Sequence, residues 1–335
     1  MSEINDRHLS YYQDRKVMIT GGCGFIGSNL AIRLVELGAD VLVVDSMLPD
    51  FGGNLFNLEP VKDAVRINFG DVRDATTMSY LVRDQEVIFN LAGQVSHLDS
   101  MEDPETDLEI NCRAQLRFLE ACRRNNPDTK VVFASTRQIY GRPRYLPVDE
   151  KHELHPSDVN GVNKHAGEMY HLLYHDVYGI RSCCLRLTNT YGPRQHVRTD
   201  RQTFIGWFFR QVIDDEEIRI FGTGSQLRDF TYIDDCVDAM LRAGALDASN
   251  GEIFNVGGIR PVSLLELTRM LIEVAGTGSY TLIPFPEGRR AIDIGSFYAD
   301  DTKIRRVLGW KPTVPLERGL AMSVEYFREH REHYW

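Results

Sequence analysis

Eight residues near the start of the chain, Thr20-Gly21-Gly22-Cys23-Gly24-Phe25-Ile26-Gly27, leave it few folds to adopt. They join an apolar run, Val17-Met18-Ile19, to a segment carrying Ile26, Leu30, Leu34 and Leu37 at helical spacing, and so predict a strand, a tight glycine turn and a helix N-terminus. At such a helix start the unpaired backbone N–H groups and the macrodipole favour an anion, and glycines let a pyrophosphate approach the backbone without meeting a Cβ. A lone Gly-x-x-Gly-x-x-Gly is weak evidence, but here the context adds to it. A second apolar run, Val41-Leu42-Val43-Val44, ends in Asp45, eighteen residues after Gly27, where a dinucleotide-binding fold places a carboxylate for a ribose. An acid there accepts hydrogen bonds from a 2′-hydroxyl and repels a 2′-phosphate, so the expected cofactor is NAD rather than NADP.

The rhythm of strand and helix continues to about residue 188. A third strand, 64–69, ends in Gly70-Asp71-Val72, which puts Asp71 at the carboxyl edge of the sheet as a candidate for the adenine amino group. Its other reading is the N-cap of the next helix, a role Asp74 could equally fill. A fourth strand, 86–91, runs into Leu91-Ala92-Gly93-Gln94, where the backbone can pass close to a ribose and pyrophosphate, and the titratable pair His97 and Asp99 follows. Leu108, Cys112, Leu116, Leu119 and Cys122 repeat at helical spacing until Asn125-Asn126-Pro127. A fifth strand, 130–134, leads to Ser135-Thr136. A helix over 160–178 shows Val162, Ala166, Met169, Leu173 and Val177 on one face, and a sixth strand covers 181–187. Such alternation implies an α/β fold built on a doubly wound parallel (Rossmann) sheet, since each parallel crossover needs a helix over a sheet face.

From Asn189 onward the elements shorten: a helix at about 203–213, strands at 218–221 and 280–283, helices at 232–243, 264–275 and from Leu316, and a strand at 253–256 that should return to the main sheet. We expect two interwoven regions. Residues 1–188 and 231–262 would bind the dinucleotide, and 189–230 with 263–335 would form a smaller, discontinuous α+β region for the substrate.

A chain of 335 residues with 38 Lys plus Arg against 48 Asp plus Glu carries a net charge of −10, which argues against nucleic acid or an anionic membrane as partner. Any anionic ligand must then be met by locally placed arginines. No apolar run approaches the ~20 residues of a membrane span and the first fifteen residues lack a signal-peptide core, so the expectation is a cytoplasmic protein. The six cysteines lie mostly in apolar runs without zinc-site spacing, which fits reduced core thiols and no metal site.

Taken together, the segments TGGCGFIG (20–27), GDVRD (70–74), NLAGQ (90–94), ASTRQIYG (134–141), NxxxK (160–164), RLTNTYGPRQ (186–195), FGTGSQLRDF (221–230) and GRRAID (288–293) resemble the extended short-chain dehydrogenase/reductase family, the NAD-dependent epimerases and dehydratases of nucleotide sugars. The resemblance spans essentially the whole chain. It implies that Gly21, Gly24, Phe25, Ile26, Gly27, Asp45, Asp71, Val72 and Leu91 to Gln94 surround NAD. It also implies that Thr136 hydrogen-bonds the reacting oxygen, and that Lys164 lowers the pKa of a base one turn earlier and holds the nicotinamide ribose. That base is a tyrosine in the family. Here Asn160 stands in its place, and an amide is no base near neutral pH. Lys164 and His97 rank ahead of Asp99 and Tyr140 as replacements, with Asn160 positioning substrate or a relaying water.

Where family dehydratases carry an Asp-Glu pair the chain has Arg137 and Gln138, which favours epimerisation over loss of water or carbon dioxide. By the same resemblance Asn189, Arg228 and Arg290 would hold a substrate diphosphate, with Asp293 orienting Arg290 and with Phe221 and Gly222 flanking the nucleotide base. Arg194, Arg198 and Arg201 would meet either a charged substrate or solvent. The family also implies a homodimer built on the helices near 102–125 and 160–178. Two other readings stay open: a different NAD-dependent nucleotide-sugar oxidoreductase or dehydratase, and a non-catalytic binder of NAD and nucleotide sugar that lost its tyrosine.

Overall fold

A computed structural model describes residues 7–49, 51–286 and 293–335. Seven strands form the main sheet: β1 (Lys16–Thr20), β2 (Asp40–Val44), β3 (Val65–Asn68), β4 (Val87–Asn90), β5 (Lys130–Thr136), β6 (Arg181–Leu187) and β11 (Ile253–Val256). Their spatial order is β11-β6-β5-β4-β1-β2-β3, and every pair is parallel. The order reverses between β1 and β4, so the carboxyl ends of these strands open a crevice there. The strand at 253–256 does return to the main sheet, beside β6.

Alternation along the strands explains the two apolar layers. Val17, Ile19, Val41, Val43, Val87 and Phe89 face one side, against Leu30 and Leu34 of α2 (Phe25–Glu36) and Met240 of α9 (Ile233–Ala245). Met18, Leu42, Val44 and Ile88 face the other, against Met78 of α3 (Ala75–Leu81) and Phe118 and Leu119 of α6 (Ala114–Asn125). The first layer runs on without a break into Ile205, Phe209, Leu267 and Leu320 from helices α8 (Phe204–Ile213), α10 (Leu264–Ala275) and a late helix Leu316–Glu329. The late elements therefore rest on the same core. They carry small sheets of their own, with β8 (Glu217–Phe221) parallel to β13 (Ser279–Ile283) and β7 (Asn189–Tyr191) parallel to β10 (Phe230–Tyr232).

One element differs from the sequence expectation. The helix expected to run unbroken from Leu108 is instead α5 (Pro104–Leu108), a π-turn at Glu109–Arg113, then α6. The wide turn places buried Asn111 so that its Nδ2 donates to Gln94 O and Asp107 Oδ2, each at 3.0 Å. In α7 (Val159–Tyr178) the apolar stripe faces outward: Val162, Met169, Leu173 and Val177 are about half exposed. Its inward face is polar, with Asn160, Asn163, Lys164, Glu168 and His171 all buried. Each has a partner there. Glu168 accepts from Ser135 and pairs with Arg186 at 2.5 Å, and His171 stacks on Phe133.

All six cysteines are free, and five of them are buried. No helix of the described residues is long and apolar enough to cross a membrane, and no cluster among them could hold a metal ion.

Candidate active site

The carboxyl edge of the sheet opens into one cavity of about 1110 Å³, larger than a pocket for a single drug-sized ligand. At its β1 end lies the glycine turn. Gly21 has φ +70°, and a Cβ on it would lie 3.0 Å from Ala92 backbone atoms; a Cβ on Gly27 would fall 2.3 Å from Gly21 O. Only glycine fits either position, and Gly24 caps α2 with no side chain over the helix end, leaving a bare backbone cradle. Asp45, at the end of β2, is anchored beside it: Oδ2 accepts from Cys23 N at 3.0 Å and Oδ1 from Met47 N at 2.9 Å. Burial, helped by Asp45, pushes the Cys23 thiol up to about 12, so it packs rather than reacts. Phe25, Ile26, Asp71, Val72 and Leu91 through Gln94 line the same end. Asp71 does not cap the following helix; Asp74 does, accepting from Thr76 N and Thr77 N, while Asp71 is held by Arg73 at 2.6 Å. These residues fit a dinucleotide with free ribose hydroxyls.

In the middle of the cavity stand Thr136, Asn160, Lys164 and His97. Thr136 ends β5, and its Oγ1 accepts from Gln138 N at 3.2 Å. Lys164 reaches from α7 to donate to Ala134 O at 3.2 Å; burial lowers its ammonium to about 8, against an opposing pull from Asp107. The Asn160 amide N–H groups are committed inside the protein, to Gln94 O at 2.7 Å and Asp107 Oδ2 at 2.9 Å. His97 is one-third exposed, and its Nδ1 lies 2.5 Å from Oδ2 of Asp158, whose side chain is 1% exposed. Asp158 is also the N-cap of α7, accepting from Gly161 N at 2.7 Å. Burial raises the Asp158 carboxyl, but the hydrogen bond and charge of His97, Gly161 N–H and Arg137 outweigh it, so it sits below the usual range. On the other ring nitrogen, Gln138 Nε2 donates to His97 Nε2, which leaves Nδ1–H to donate to Asp158.

The remaining candidates fare differently. Asp99 is paired with Arg201 at 2.9 Å, and Tyr140 is fully buried, donating to Asn255 and accepting from Arg186. Arg194 is partly buried and held within the protein, whereas Arg198 is exposed to solvent. Arg194 ties Asn29 to Asn57 O and lies over Tyr326, and Arg198 donates to Tyr334 O.

At the far end of the cavity Asn189, Phe221, Arg228 and Asp293 line the wall, while Arg290 lies outside the described residues. Arg228 is buried and donates to Leu227 O at 2.8 Å and to Gly295 O; burial, then the nearby Arg137 charge, lower it to about 10. Two wall residues matter more than sequence reasoning allowed. Asp158 carried a signal, an acid immediately before a helical run, whereas nothing along the chain brings Gln138 to His97.

A parallel sheet with a glycine cradle, an acid at the end of β2 and a Thr-Lys pair at one edge defines an NAD-dependent Rossmann enzyme. The comparisons with known proteins narrow this. Residues 17–257 match the model of the NAD dependent epimerase/dehydratase family, and the chain belongs to that family. It is 34% identical over 316 residues, 94% of its length and 99% of the other, to a putative UDP-glucose 4-epimerase of Methanocaldococcus jannaschii. To CDP-paratose 2-epimerase of Salmonella typhi it is 30% identical over 340 residues, 93% and 98% of the two chains. The solved UDP-glucose 4-epimerase of Thermotoga maritima with UDP-glucose superposes with a TM-score of 0.86 at 32% identity, covering 94% of this chain and 99% of that one. The protein is thus a member of the NAD-dependent epimerases and dehydratases of the short-chain dehydrogenase/reductase type.

Proposed function

We propose that the protein interconverts two epimers of a nucleoside-diphosphate sugar through a transient ketone, with His97, backed by Asp158, taking and returning the hydroxyl proton. One observation carries the reading: a single cavity joins the glycine cradle, the Thr136–Lys164 pair and the His97–Asp158 dyad to Arg228 and Asn189. Bound NAD supplies a hydride acceptor and donor at a sugar carbon. Thr136 hydrogen-bonds the oxygen on that carbon, and Lys164 holds the nicotinamide ribose. His97 Nε2, the nitrogen not held by Asp158, accepts the hydroxyl proton as the C–O bond becomes a carbonyl. The Gln138 amide serves both states of the ring: its N–H₂ donates to neutral Nε2, and Oε1, buried and unpartnered, would accept from Nε2–H after a half-turn. Turning of the ketone in the cavity would present its other face to the bound NAD, and return of the proton from His97 Nε2 to the oxygen would complete the epimer.

Loss of water is disfavoured because Arg137 and Gln138 offer no carboxyl acid. A base held at 2.5 Å by a buried carboxylate also favours an active enzyme over a retired binder. We further propose a homodimer through the outward stripe of α7, working in the cytoplasm, with neither nucleic acid nor membrane as partner; the net charge of −10 supports the last point. The test is incubation of the purified protein with several nucleotide sugars and separation of the products. A new epimer is expected. A dehydrated sugar, or recovery of every substrate unchanged, sinks the proposal.

A further inference from the structure

Arg137 has no function in the scheme above, yet it lies in the cavity wall directly after Thr136. Its Nη1 is shielded from water and has no hydrogen-bond partner, and its one polar contact is a long one, Nη2 to Asn189 Oδ1 at 3.4 Å. The guanidinium lies over the Phe297 ring at 5.4 Å, which fixes its plane. No carboxylate of the described residues forms an ion pair with it. Asp158 and Asp229 are close enough to favour its charge, but Asp158 is committed to His97 and Gly161 N. Asp229 is a weak counter-ion, because burial raises its own carboxyl to about 6, and one of its oxygens is unpartnered too. Arg228 adds a second guanidinium close enough to repel the first. A guanidinium in the cavity wall with an unpartnered Nη1 and no ion pair among the described residues is stabilised by an anion bound beside it.

We propose that Arg137 binds a carboxylate carried by the sugar itself, so that the substrate is the nucleoside-diphosphate ester of an acidic sugar. This rests on the nucleotide-sugar reading of the same cavity. The anion belongs to the sugar because Arg137 is the immediate neighbour of Thr136, at the reacting carbon, whereas Arg228 and Asn189 already serve the diphosphate. A fork of guanidinium N–H donors suits a carboxylate, and a hydroxymethyl group in its place would leave Nη1 unpaired.

The test uses holoenzyme and calorimetry. UDP, CDP, dTDP and GDP are ranked first, and the glucuronate and glucose esters of the tightest are then compared. The glucuronate ester should bind at least about tenfold tighter, the size of one charge-assisted hydrogen bond. Arg137→Gln should reduce that preference to within about twofold while the affinity for the bare nucleoside diphosphate holds, and Arg137→Lys should fall between. Equal binding of the two esters by the unaltered protein overturns the inference even if no variant folds. So does an Arg137→Gln protein that keeps the preference, or one that loses the bare diphosphate in equal measure, which would assign Arg137 to the phosphates. Efficient epimerisation of the neutral ester would overturn this inference and leave the proposed function standing; failure of all four nucleotides to bind overturns both.

Discussion

At the scale of single residues the site turns on what a side chain can do after its neighbours have claimed it. Asn160 and His97 both line the cavity, but the amide donors of Asn160 are bound to Gln94 and Asp107, while the Nε2 of His97 meets the side-chain amide of Gln138. Replacing Asn160 by tyrosine should therefore lower stability and give no gain in turnover, because a ring must enter a site that is 1% exposed and displace that network. A gain of about 100-fold or more, the size of an added general base, would show a damaged tyrosine site instead. Asp158→Asn keeps an N-cap for α7 but removes the charge behind His97, so kcat should fall by about 100-fold or more. The Asp158 carboxyl sits below its unfolded range, so it stabilises the fold above that range and the contribution is lost as pH falls through the folded pKa. The melting-point deficit of Asp158→Asn should accordingly appear at pH 7 and shrink toward pH 3. At the cradle, Asp45→Ala should weaken NAD binding by about 1.5–3 kcal/mol, measured by calorimetry. Tighter binding of NADP than NAD by the unaltered protein would contradict the role given to Asp45.

At the scale of elements, α7 shows that periodicity finds a face without saying what that face meets. The stripe Val162, Met169, Leu173 and Val177 is real, but it points to solvent, and the sheet side of the helix holds charged and polar groups in fixed partnerships. That arrangement is stable only because each buried polar group is satisfied. Glu168→Ala, which strands Arg186 without its 2.5 Å partner, should cost about 3–5 kcal/mol in urea unfolding. Leu173→Glu should leave the monomer folded, since the residue is 50% exposed, and halve the mass seen by light scattering at micromolar concentration. An unaltered protein already monomeric at that concentration would remove the dimer proposal.

At the scale of the whole molecule, the late elements share the core of the sheet and bring groups together that are far apart in sequence. Asp229 is one such group, and burial raises its carboxyl to about 6. A raised carboxyl favours the protonated fold: its contribution is fully present below the unfolded pKa and is lost as pH rises through about 6. Asp229→Asn should therefore raise the stability of the ligand-free protein at pH 8 by about 1–3 kcal/mol, and the gain should vanish near pH 3.5. The sequence alone determined the sheet, the glycine cradle and Asp45, because these rest on local rules: strand alternation, a turn only glycine can make, and an acid at a strand end. Thr136, Lys164 and Arg228 were marked only through the family resemblance. Only the tertiary structure decided which face of α7 is buried, that Asp158 stands behind His97, and that Arg137 sits in the cavity wall with Nη1 unpartnered. Those outcomes depend on pairs 52 to 61 residues apart, Arg137 with Asn189 and His97 with Asp158, and no periodicity along the chain encodes the contact of two side chains brought together by separate strands and helices.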